Sequence, residues 1–175
     1  MINPKEGALA WLAEQFVGVT ETKTNGGAMI EKFQRAVDGV ASGEPWCVCF
    51  VQHCVKQIDE LFDRALVTYP PSSHNVLFGT EWTIGLWEST PKAQRRLVPT
   101  PGCIVVWQHD SNKMQGHCGI ITGVFMEPTG GVSLRTVEGN TGAVNQRDGD
   151  GVWQKQRVLG NIPGFTRLGY LAPWQ

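Results

Sequence analysis

The sequence has 175 residues, 41% hydrophobic and 18% charged, a balance that suits one globular domain and excludes a disordered chain. A formal net charge of -1 does not indicate a strongly basic surface for nucleic acid or an anionic membrane, although it leaves room for a local patch, and no apolar run reaches the roughly 20 residues that span a bilayer. Five cysteines, an odd number in a chain that is not cysteine-dense, argue against a disulfide framework and for synthesis in a reducing compartment.

The first 65 residues read as helical. Ala8, Leu9, Leu12, Ala13 and Phe16 recur at helical spacing, and Gly18 ends that helix. Asn25-Gly26-Gly27 interrupts the chain. Met29, Ile30, Phe33, Ala36 and Val37 mark a second helix, closed by Gly39. Pro45 stands where a first helical turn would begin, and a third helix is expected over about 46–62. Its apolar stripe is Phe50, Val51, Cys54, Val55 and Ile58. Residues 68–100 are rich in Pro, Ser, Gly and Trp and read as a long connection with a helical piece near 80–88.

After Pro101-Gly102 the pattern turns to strands, expected at 103–108, 117–125, 132–138, 152–158 and 165–171. Helices first and an antiparallel sheet second predict an α+β fold. No internal repeat or linker divides the chain, so a single domain over 1–175 is expected, as a monomer. The opening MINPKEGALAWLAEQF lacks a basic start followed by a long apolar run. The expectation is a soluble protein made in the cytoplasm without a signal peptide.

Cys47 falls at the opening turn of the third helix. Free backbone N–H groups and the helix dipole there favour an anion and lower a thiol pKa. A thiolate is the nucleophile of cysteine hydrolases. In Gly116-His117-Cys118-Gly119 the imidazole sits at a strand end, where it can meet a helix N-terminus and take the thiol proton. Glu138 and Asn140, two apart after the next strand, can point to one side and accept a proton from the second imidazole nitrogen. Taken singly, each of these residues has a plain structural reading. Cys49, Cys54, Cys103 and Cys118 read as core thiols, and His53, His74 and His109 have no comparable setting.

The constellation carries a resemblance. Gly43-Glu44-Pro45-Trp46-Cys47, Phe50-Val51, Pro101-Gly102-Cys103-Ile104-Val105-Val106-Trp107, Gly116-His117-Cys118-Gly119-Ile120-Ile121 and Glu138-Gly139-Asn140-Thr141 resemble the CHAP family of cysteine amidohydrolases and peptidases, within the NlpC/P60 papain-like group. The chain is similar in particular to short phage and bacterial CHAP proteins with a Pro-Trp-Cys motif. The resemblance implies a papain-like core with the cysteine helix packed on an antiparallel sheet of about five or six strands. It also implies Cys47 as nucleophile, His117 as base, Glu138 as orienting group and Asn140 as a fourth polar member. The implied substrate is bacterial peptidoglycan, cut at an amide bond of its peptide part, with no cofactor.

The chain departs from the family pattern at Pro101-Gly102-Cys103, where Pro-Gly-Asp is usual. It also lacks the acidic calcium loop that precedes the cysteine in some CHAP endolysins, and no separate wall-binding domain is expected. Trp46, next to the nucleophile, is the candidate substrate wall; Trp82, Trp87 and Trp153 are further groove candidates. Asp148-Gly149-Asp150-Gly151 hints at a calcium loop, but counting Gly151 as position 6 puts Arg157 at position 12, where a bidentate Glu is needed. Cys49 and His53 are four apart on one helix, yet the Cys/His spacing fits no usual zinc pattern. No metal is therefore expected. A catalytically dead wall-binding or phage structural module stays open as the alternative to an enzyme. Within the enzyme class, a phage endolysin released to the wall and an injected antibacterial toxin with an immunity protein both fit a chain lacking a signal.

Overall fold

The computed structural model describes residues 3–64, 79–128, 130–142 and 149–174. Helix α1 spans Pro4–Glu14; the Asn3 side chain caps it by accepting from Lys5 N–H at 3.0 Å, and Pro4 starts its first turn. Helix α2 spans Ala28–Asp38 and ends where Gly39, at φ 91°, closes an N–H bond back to the Arg35 carbonyl. Helix α3 spans Cys47–Arg64, starting two residues after Pro45. Its stripe Phe50, Val51, Cys54, Val55 and Ile58 is buried, as the periodicity requires. Helix α4, Thr83–Ser89, is the expected helical piece of the long connection.

Six strands follow: β1 (Arg95–Arg96), β2 (Ile104–His109), β3 (Gly116–Met126), β4 (Val132–Thr141), β5 (Gly151–Val158) and β6 (Phe165–Leu171). They form one antiparallel sheet in the order β1-β6-β2-β3-β4-β5. The fold is α+β, consistent with a papain-like CHAP architecture, and all five expected strands are present. The two-residue β1 is an addition that no alternation announces.

Alternation along β2 and β3 splits the sheet into two faces. Ile104, Val106, Cys118, Ile120 and Val137 pack with α3 and with Leu9, Phe33 and Trp46. Cys103, Val105, Trp107, Ile121, Leu134 and Tyr170 form a second apolar cluster. Lys5 on α1 and the Trp174 indole both bond Asp59 on α3, each at 2.8 Å, tying both ends of the chain to that helix. Among the described residues no helix is long and apolar enough to cross a membrane.

Candidate active site

The N-terminus of α3 meets the start of β3, which brings Cys47 to His117. Cys47 is 6% exposed and its thiol is within hydrogen-bonding reach of the imidazole. His117 pairs across the ladder with Trp107, whose ring stacks on the imidazole at a 15° interplanar angle. His117 Nε2 lies 2.9 Å from Glu138 Oε2, so Nε2–H donates to the carboxylate and Nδ1 is left for the thiol. Gly119 makes room for that carboxylate, because a Cβ there would sit 2.5 Å from Glu138 Cγ. Gly139 does the same for α3, where a Cβ would sit 2.7 Å from that of Phe50.

The Glu138 carboxylate is fully buried and holds four hydrogen bonds. Besides His117, it accepts from Thr136 Oγ1 at 2.6 Å and from Arg157 Nε and Nη2 at 2.8 and 2.6 Å. Burial alone would raise its pKa, but Arg157 and His117 hold it well below the usual carboxylate range. Burial likewise works against the His117 cation, yet hydrogen bonds to Cys47 and Glu138 and their charges raise its pKa to about 9. The Cys47 thiol is held well below its ordinary value. A hydrogen bond from the Cys118 thiol is the largest cause, burial opposes it, and His117 and the Thr83 hydroxyl, 3.5 Å from Sγ, add to the lowering. Both shifts favour a thiolate–imidazolium pair.

The other thiols are buried and free. Burial pushes Cys49, Cys54 and Cys103 up, and hydrogen bonding to Cys47 is the chief cause of the rise at Cys118. Iodoacetamide at neutral pH should accordingly alkylate Cys47 first. Mass-spectrometric mapping that found Cys103 or Cys118 modified first would count against Cys47 as the activated thiol.

Two expectations, for Trp46 and Asn140, need correction. Trp46 is fully buried against Phe33, its indole N–H bonded to Glu21 at 2.7 Å, so it packs the core and cannot form a substrate wall. Trp82, 39% exposed beside Thr83, is the aromatic at the surface there. Asn140 does not join Glu138 on the imidazole. The β4–β5 register shifts between Glu138 and Thr141, and Asn140 takes φ 54°, so the two-residue alternation breaks at that point. His53 is wedged against Phe16 and Phe33 and bonded to Gln57, and burial lowers its pKa to about 4. His109 accepts N–H bonds in the turn at Ser111 and Asn112. His74 and Asp148 lie outside the described residues.

Thr83 and Arg157 belong to the network and were not anticipated. Arg157 could have been found: Trp153, Lys155 and Arg157 alternate along β5, and a cation on the face that buries a glutamate is a natural partner. Thr83 leaves no comparable signal. Among the described residues, Glu44, Cys49 and Glu81 bring ligand-type atoms within 4.8 Å of one another. Burial, then the carboxylates and Cys47, keep the Cys49 thiol protonated, and burial followed by repulsion from Glu44 raises the Glu81 pKa.

A model of the CHAP domain family matches residues 39–140, more than half of the chain, and spans Cys47, His117, Glu138 and Asn140. No curated protein and no solved structure matches the chain.

Proposed function

The chain belongs to the CHAP-domain family, and on that premise we propose that it is a cysteine hydrolase that cuts amide bonds in the peptide part of peptidoglycan. CHAP domains suggest peptidoglycan hydrolysis in general; the residue roles and the bond class are the finer reading. The observation that carries it is the continuous chain of contacts from the Cys47 thiol through the two nitrogens of His117 to the Glu138 carboxylate.

The Cys47 thiolate attacks the amide carbonyl carbon, forming a C–S bond. The oxyanion is met by N–H groups of the first turn of α3, which have no intrahelical acceptor. The imidazolium gives its Nδ1 proton to the departing amine as the C–N bond breaks. The neutral imidazole then takes a proton from water, the hydroxide attacks the thioester, and the thiolate leaves as the acid product forms. Glu138 keeps the ring turned so that Nδ1 faces the thiol throughout. Trp82 is the aromatic placed to border the substrate.

Zymography on purified cell wall tests this reading. The wild-type protein should clear the wall and Cys47→Ala should not. A wild-type protein that binds wall without clearing it would instead be a non-catalytic wall-binding module.

A further inference from the structure

We propose that Arg157 is a positioning residue of this site, its two-pronged grip on Glu138 fixing the carboxylate that holds the catalytic imidazole. Arg157 reaches both carboxylate oxygens, and its side chain is 13% exposed. Its guanidinium also lies over the Trp107 ring, 5.8 Å from the centroid, and the same ring stacks on His117 at 6.1 Å. Trp107 is itself tied down by its indole N–H on the Gly160 carbonyl at 3.3 Å. One aromatic plane thus braces both ends of the His117–Glu138–Arg157 row. Arg157 lies beyond the 39–140 stretch that the family model matches.

The geometry limits what Glu138 can do. With Thr136 on Oε1, His117 on Oε2 and Arg157 on both, every approach to the carboxylate in its plane is occupied. It can neither rotate away from the imidazole nor readily take its proton. Arg157 also sets the local charge. The ionisable groups facing this row are Cys47 on α3, His117 and Cys118 on β3, Glu138 on β4, and Lys155 and Arg157 on β5. Lys155 directs its ammonium to the Gly142 carbonyl and feels the Glu138 charge from there, whereas Arg157 bonds the carboxylate directly and divides its charge with His117. Without Arg157 the carboxylate acts undivided on the imidazolium, which then keeps its proton to higher pH and yields it less readily to a leaving amine.

The inference rests on the hydrolase reading only for its effect on rate; the electrostatic part is independent of substrate. The test is an NMR titration of the His117 ring in histidine-labelled protein, for the parent, Arg157→Gln and Arg157→Lys. Removing the charge in Arg157→Gln should move the His117 midpoint up by about one pH unit. Arg157→Lys should leave the midpoint near the parent value. It should still lower the wall-cleaving rate about tenfold, because an ammonium cannot grip both oxygens. An unmoved midpoint in folded Arg157→Gln would reduce the ion pair to scaffolding and overturn the proposal. If Arg157→Gln does not fold, Arg157→Lys decides, and the parental rate in that variant would overturn it. A parent protein inert on wall would count against the hydrolase reading alone, and the ring titration would still stand.

Discussion

Cys47→Ala and His117→Ala should each lose at least about a thousandfold in wall-cleaving rate while remaining folded. In the proposed mechanism the thiol forms the acyl bond, and among the described residues no second activated thiol stands beside it. Cys118, its closest thiol neighbour, is fully buried and strongly disposed to stay protonated. In the same mechanism His117 is as indispensable, because one imidazole generates the thiolate and then protonates the amine. Its removal leaves Glu138 still paired with Arg157, so no buried charge is stranded and the fold should hold. His53→Ala and His109→Ala are the controls. Both imidazoles are engaged away from Cys47, and both variants should stay active. Initial rates from the turbidity of purified wall, with circular dichroism on each variant, check this. A dead His53 or His109 variant beside an active His117→Ala would mean that the base is wrongly named.

Glu138→Gln should damage both activity and folding. The carboxylate is fully buried, and Arg157 depends on it for a counter-charge. An amide in its place sets an N–H₂ group against a guanidinium or an imidazole N–H and strands a buried cation. Breaking a buried pair in this way costs about 3–5 kcal/mol. That is a large part of the roughly 5–15 kcal/mol that holds a domain together. The rate should fall by at least about a hundredfold, since the ring loses the acceptor that fixes its tautomer. Asn140→Ala, by contrast, should stay within about threefold of the parent rate and about 0.5 kcal/mol of its stability. The pair of variants, read by chemical denaturation and initial rate, separates the two residues that the sequence places side by side. Equal, mild effects from both would contradict the four-bond carboxylate.

Much of the architecture was legible because it follows from periodicity. The α3 stripe and the continuous apolar runs of β2 and β3 state their own burial. The candidate site was legible where one residue type has few alternatives, as with a cysteine after Pro-Trp and a histidine after a glycine at a strand start. Three features escaped for physical reasons. Trp46 neighbours Cys47 in the chain, but the helix start turns it inward to Glu21 and Phe33. Asn140 shares the spacing of an alternating strand, but the register shift ahead of Thr141 breaks that alternation. Arg157 sits in a β5 pattern of basic and polar residues that reads as a solvated face, although the need of a buried glutamate for a cation could have singled it out.

The central claim is that Cys47 opens an amide bond in the wall peptide, and mass spectrometry of the soluble products of purified peptidoglycan tests it most directly. The account predicts fragments with a new amine and a new carboxyl group at one amide position of the peptide part, glycan chains uncut, and no such fragments from Cys47→Ala. Fragments cleaved at the glycan linkages, or the same peptide products released by Cys47→Ala, would contradict it.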